Sequence, residues 1–277
     1  MLFFGRVTGE AKAAARGPAP AWLGRVGERA ATPLILLLGW EALSRLGAIP
    51  VHTLAAPSAV LATFAKLLIN GELPFHLLVS LRRVVLGLAL SISLGCLLAL
   101  WAGLTRLGEV VVDAPLQMLR TLPFLALVPL FILWRGIGEA PKIGLVALAT
   151  LFPIYLTLYS GIRGVDPKLI EAARVFGLSG PSLIRHVILP GALPSALVGL
   201  RFALGISWLS LIAGEQINAT SGIGYLVNDA REYLRTDIIV VCLIVYALIG
   251  LLADGLVRLL ERRLLRWRPA FPQRGRP

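Results

Sequence analysis

Long apolar runs separated by short charged segments organise this chain. The purest runs, Val84–Thr105 and Ile143–Ile162, contain no charged residue. Each matches the roughly 20-residue helix that crosses a bilayer core. Four others are interrupted: Thr32–Ile49 by Glu41 and Arg45, Ala114–Trp134 by Arg120, Gly191–Gly214 by Arg201, and Ile238–Val257 by Asp254. The pattern predicts an all-α polytopic membrane protein with about six transmembrane helices, which puts both termini on one side. Between the first two runs, Pro57 and Ser58 precede Val60, Leu61, Phe64, Leu67 and Leu68 at helical spacing. That segment is expected to be an amphipathic helix lying at the outer surface. Prolines 115, 123, 129, 153, 190 and 194 bound or interrupt the third to fifth runs. Such breaks are tolerated where neighbouring helices or a water-lined cavity satisfy the freed carbonyls.

Composition agrees. The chain is 57% hydrophobic and 15% charged with a mean hydropathy of +0.82, against about 25% charged residues in soluble domains. Its net charge of +12 would suit nucleic acid, but no aromatic-rich basic surface accompanies it, and the arginines gather in tails and loops beside the apolar runs. The expected partner of those charges is the lipid bilayer. With termini inside, basic residues at inside positions outnumber those outside by roughly two to one. This places both ends, and the loop 163–190, in the cytoplasm. The N-terminus does not read as a signal peptide, because Leu2, Phe3 and Phe4 are followed by Arg6 and Lys12. The expected organisation is a cytoplasmic tail over residues 1–30, a first span with the outer amphipathic segment over 31–74, a transmembrane core over 75–260, and a basic cytoplasmic tail over 261–277.

Cys96 and Cys242 lie inside apolar runs and read as small core residues; His52, His76 and His186 make no ligand spacing. No metal or cofactor is expected. No Gly-x-x-x-x-Gly-Lys-Ser/Thr phosphate cradle occurs, so ATP binding would have to come from another chain. No Gly-x-Ser-x-Gly elbow or His-Glu-x-x-His helix occurs either. A polytopic membrane enzyme would want titratable residues clustered at one membrane depth, and the runs show no such cluster. A passive channel remains a further class.

Charges within spans are expensive in lipid and are functional candidates by default. Arg82, Arg120, Arg201 and Glu215 are those candidates for the substrate pathway. Arg82 and Arg83 stand at the outer end of the second span, where they could also snorkel to headgroups. Arg120 precedes Thr121-Leu122-Pro123 at an expected helix break, where it would cap freed carbonyls or line a cavity. Arg201 and Glu215 lie nearly four turns apart on one helix, so each needs a partner elsewhere. Ser221-Gly222-Ile223-Gly224-Tyr225, on the outer side, reads as a close turn.

The loop 163–190 carries its own local code. Asp166 suits an N-cap and Pro167 the first helical position. Leu169, Ala173 and Phe176 make one apolar face, and Lys168, Glu171 and Arg174 a charged stripe. Gly177 suits the left-handed end of the helix. Glu171-Ala172-Ala173, then Gly177, then Val187-Ile188-Leu189-Pro190 resemble the Glu-Ala-Ala…Gly…Ile-x-Leu-Pro signature of inner-membrane permease subunits of bacterial ATP-driven importers, with Val187 in place of Ile. Similarity extends to Met118–Pro123, Leu125–Leu130, Ile132–Trp134, His186–Ser195, Gly199-Leu200-Arg201 and Ser221–Leu226, which resemble the nitrate, sulfonate and taurine type, nearest to the aliphatic sulfonate permeases. Arg135 stands where an apolar aromatic would be usual.

The resemblance covers about residues 30–270. It implies a type I importer permease fold, a permease homodimer, separate ATPase subunits and a periplasmic substrate-binding protein. It further implies a small anion as cargo, most simply an aliphatic sulfonate, with taurine, nitrate or bicarbonate as alternatives. Coupling would be mechanical: Glu171, Ala172, Ala173 and Gly177 would form the helix that docks on the ATPase, and Leu189-Pro190 would start the next membrane segment.

Overall fold

The computed structural model describes residues 21–267, with side chains from residue 31 onward except 124 and 125. Helices dominate, and no strand occurs among the described residues. The chain divides into two compact units, residues 1–58 and 59–277.

In the first unit, α1 (Ala21–Arg45) carries an almost wholly exposed apolar stretch, Leu34 to Leu38. It begins ten residues before the expected end of the N-terminal tail; residues 1–20 lie outside the described residues. The two charges of this run answer each other locally. The Glu41 carboxylate accepts from Arg45 Nε at 2.6 Å, from the Ser58 amide at 2.9 Å and from the Ser58 hydroxyl at 2.7 Å. It thereby satisfies one of the free N–H groups at the first turn of α2 (Pro57–Ile69).

The second unit is a helical bundle. α2 buries Val60 and Leu67 and exposes Leu61 and Leu68, and Thr63 donates to Asp237 at 2.7 Å. Gly71, at φ 75°, turns the chain into α3 (Glu72–Leu104). α3 starts 12 residues before the expected second span, because the polar positions at its head are buried against protein and not placed in lipid. The third run is not one helix. After α4 (Arg106–Gly108) comes a π-helical turn, Glu109–Asp113, and then α5 (Ala114–Arg120). A 3₁₀ turn over Phe124–Leu127 leads to α6 (Val128–Arg135). Pro123 and Pro129 remove the amides that would have carried a continuous helix.

α7 (Glu139–Arg163), α8 (Pro167–Val175) and α9 (Gly180–Leu183) follow. A second π-helical turn, Ile184–Ile188, joins α9 to α10 (Leu189–Asn218), so one apolar helix runs 39 residues from Gly180 to Asn218. α11 (Ile223–Glu232) and α12 (Thr236–Leu264) complete the chain; residues 268–277 of the C-terminal tail lie outside the described residues. Among the described residues four helices are long and apolar enough to cross a membrane: α3, α7, the α9–α10 helix and α12. With α1 and the broken α5–α6 segment they account for the six runs of the sequence.

The core is built on close approach to α7. Gly87, Gly95 and Gly103 of α3 face Val146, Ile154 and Ile162 of α7 in ascending order, so the two helices run parallel. An added Cβ would lie 2.6, 3.0 and 2.8 Å from those side chains. An adjacent face of α7 receives α10 antiparallel: a Cβ on Gly161 would come within 2.7 Å of Ser195, and one on Gly199 would collide with Thr157. Helices in lipid gain little from hydrophobic association, so small residues that admit such approach supply the dispersion contacts instead.

Candidate functional site

Three places in the bundle hold the candidate residues. The first is the loop between α7 and α10. The Asp166 side chain accepts from the Lys168 amide at 2.9 Å, capping α8. At its other end Gly177, at φ 84°, adopts the left-handed conformation. The Leu178 amide reaches the Ala173 carbonyl at 3.0 Å and the Gly177 amide reaches the Arg174 carbonyl at 2.9 Å. These two bonds define a Schellman C-terminus. The apolar face differs from the expected one. Ala173 is buried with Ile170 and Leu178 packed around it, joining a cluster that includes Ile162, Val165, Leu183, Ile188 and Ala192. Leu169 and Phe176 instead point outward: Val175 and Phe176 are each 85% exposed, as is much of Leu169. The Schellman turn rotates Phe176 past the helix, and Leu178 takes its place against the core. Glu171 and Ala172 are exposed beside this apolar tip, and Leu189, 38% exposed, and half-buried Pro190 stand at the head of α10. Nearby, the Arg163–Glu109 ion pair and hydrogen bonds of 3.0 Å from Tyr159 to Glu109 and from Tyr155 to Asp113 tie the end of α7 to the π-turn before α5.

At the opposite end of α10 lies a buried polar cluster. Arg83 and Glu215 are each only 1% exposed, and Arg83 Nη1 donates to Glu215 Oε1 at 2.6 Å. The other edge of the guanidinium grips Glu139 bidentately at 2.6 and 2.7 Å. Arg83 also donates to the Ser221 carbonyl at 2.7 Å. Glu215 in turn accepts from the Ser80 hydroxyl at 2.8 Å and from the Gly224 amide at 2.8 Å. The Ile223 amide donates to Ser80 Oγ at 2.9 Å and the Gly222 amide to His76 Nδ1 at 3.0 Å. Lys142 lies 3.8 Å from Glu139, so two cations meet two carboxylates and the cluster is neutral. Burying charge is tolerable only when it is paired and its remaining lone pairs are satisfied, and both conditions hold.

Two sequence readings change here. Ser221–Tyr225 is more than a close turn: its successive amides are the donors that complete the cluster. Gly222, at φ 116°, has no room for a Cβ beside the Glu215 carboxylate. And the buried arginine is Arg83, while Arg82 is exposed. A signal for this was available. His76, Ser80, Arg83, Gly87, Ser91 and Gly95 recur every three or four residues and form one small and polar stripe, and Arg82 falls off it.

Arg201 does find partners on another helix, at 2.8 Å from Glu261 and 3.3 Å from Asp254 of α12, the second contact lacking hydrogen-bond alignment. Arg120 does not. At the end of α5 it makes no hydrogen bond or ion pair among the described residues. It borders a cleft of about 380 Å³ lined otherwise by Leu122, Ala149, Phe152, Pro153, Leu156, Ile206 and Leu209.

A bundle of apolar helices with a broken third run, a capped and projecting loop helix, and a long helix joining that loop to a polar cluster defines the membrane-embedded subunit of a transporter. The chain belongs to the family of binding-protein-dependent transport system inner membrane components, whose model matches residues 91–266. It is 51% identical over 258 residues to the putative aliphatic sulfonates transport permease SsuC of Escherichia coli K12, covering 92% of this chain and 96% of that one. It is 43% identical over 239 residues to the permease of the same description from Bacillus subtilis 168, covering 86% and 87%. Among solved structures, an amino acid ABC transporter crystallised with histidines superposes with a TM-score of 0.60 at 19% identity, covering 73% of this chain and 96% of that one. That likeness establishes the type I permease fold. The protein is a transport subunit and not an enzyme; family membership implies a separate ATPase subunit and a substrate-binding protein.

Proposed function

We propose that this chain, as a homodimer in the plasma membrane with both termini cytoplasmic, forms the pathway through which an ATP-driven importer admits aliphatic sulfonates. The observation that carries the coupling is the form of α8. Its two ends are closed by hydrogen bonds, its inner face is fixed to the core, and its apolar tip projects at Val175 and Phe176. An exposed apolar tip flanked by Glu171 and Arg174 fits a protein partner better than lipid, and the ATPase subunit is the partner the family supplies. The helix from Gly180 to Asn218 spans 39 residues, or about 58 Å at 1.5 Å per residue. A displacement of α8 by the ATPase therefore has one continuous helix along which to reach the Arg83–Glu215 cluster.

The sulfonate assignment is supported by 51% identity along nearly the whole chain to a putative aliphatic sulfonates permease. It is tested by growth on hexanesulfonate as sole sulfur source, with and without this gene, and with taurine and nitrate uptake measured alongside. Loss of hexanesulfonate uptake, restored by the gene, is expected. Unchanged sulfonate uptake with loss of taurine or nitrate uptake would overturn the cargo but leave the permease class standing. Co-purification of the ATPase subunit with the wild-type chain, and failure of Glu171→Lys to retain it, tests the docking site.

A further inference from the structure

We propose that the cleft beside Arg120 is an intramembrane binding subsite for the transported alkanesulfonate, with the sulfonate on the Arg120 guanidinium and the alkyl chain against Phe152, Leu156, Ile206 and Leu209. The inference rests on the importer reading above and adds to it a specific site. Its first support is an unpaired charge. The arginines at 83, 163 and 201 are all engaged by carboxylates. Arg120 has no such partner among the described residues, although it lies beside the middle of α7, at Phe152 and Leu156. A cation at that depth is costly in lipid. Of the carboxylates on neighbouring elements, Glu109 pairs with Arg163, Glu215 with Arg83, and Asp113 accepts from the Tyr155 hydroxyl. None of them forms an ion pair with Arg120 among the described residues.

The second support is the lining. Apart from Arg120 every described side chain lining the cleft is apolar, so a sugar would find few partners for its many hydroxyls, and a cation would find the wrong charge. An amphiphilic monoanion matches both parts, because sulfonate oxygens accept from the planar guanidinium fork while a short alkyl chain is drawn from water by the walls. A small inorganic anion would leave those walls unfilled. The volume of about 380 Å³ falls within the range of roughly 300–1,000 Å³ common to small-molecule sites. Transporter sites near the membrane midplane are typically built at helix breaks; here α5 ends at Arg120, and Pro153 within α7 leaves the Ala149 carbonyl at the cleft wall without its helical amide.

The test is equilibrium binding of radiolabelled hexanesulfonate to the permease purified with its ATPase in lipid nanodiscs, without the binding protein. Saturable binding is expected, weakened at least about tenfold by Arg120→Gln and less by Arg120→Lys, which keeps the charge and three N–H donors but not the planar fork. Hexylphosphonate should compete, and hexanol and hexylamine should not. Ala149→Phe, which narrows the cleft, should weaken hexanesulfonate about tenfold more than ethanesulfonate, which has little chain to place there. Binding unaffected by Arg120→Gln would overturn the subsite. So would a cysteine at position 209 that cross-links two copies whether or not hexanesulfonate is present, because the second copy would then occupy the cleft. Absence of hexanesulfonate uptake by the unsubstituted importer in cells would instead sink the cargo assignment on which the subsite rests.

Discussion

Arg83 and Glu215, 132 residues apart in the chain, meet at 2.6 Å inside the bundle and close α3 onto α10. Neither reaches solvent, and each brings a second tie: Arg83 to Glu139 of α7, and Glu215 to the Gly224 amide at the head of α11. Removing one member of a buried pair leaves the other uncompensated, which typically costs about 3–5 kcal/mol. Glu215→Gln and Arg83→Gln should therefore each lower the thermal unfolding temperature of the detergent-purified protein by several degrees. Arg82→Gln, at an exposed neighbouring position, should stay within about 0.5 kcal/mol of the parent. Equal losses at 82 and 83 would show that the network is not what holds this end together.

Gly222 tests the same cluster through the backbone. Its φ of 116° and the carboxylate packed against its α-carbon leave no space for a methyl group. Gly222→Ala should destabilise by roughly 1–3 kcal/mol from overpacking and strain, measured as loss of folded, monodisperse protein on heating. Gly205→Ala is the matched comparison: nothing lies within 4 Å of its added Cβ, and alanine favours the helix by about 1 kcal/mol. It should be neutral or stabilising.

Gly177→Val places a β-branched residue at φ 84°, a conformation that costs an L-residue about 1–2 kcal/mol. The strain falls on the Schellman turn and misdirects Phe176, so ATPase retention and substrate-stimulated ATP hydrolysis should fall while membrane insertion persists. Phe176→Ala should reduce ATPase retention with little change in folding, because that side chain packs on solvent and not on the core. Full coupling in both variants would contradict docking at this tip.

Membrane sidedness is read by thiol labelling in a background with Cys96 and Cys242 replaced by alanine. A cysteine at exposed Ser179 should resist a membrane-impermeant reagent in intact cells, and one at exposed Asn218 should react. The reverse pattern would invert the orientation inferred from the arginine distribution.

The sequence by itself determined much of this protein. Apolar runs of bilayer length named the spans, because a backbone in lipid must hydrogen-bond within its own helix. Asp166, Pro167 and Gly177 marked the ends of α8, because capping is a matter of adjacent residues. Tertiary structure decided which charges matter. Arg82 and Arg83 are neighbours of identical chemistry, yet the turn of one helix sends one outward and buries the other against residues 56 and 132 positions away. It also replaced Phe176 with Leu178 on the inner face of α8, and converted the glycines at 222 and 224 from a turn into donors, to His76 and to Glu215 respectively. Caps and spans follow from energies settled within a few residues of chain, whereas a buried charge is stable only where distant segments converge to neutralise it.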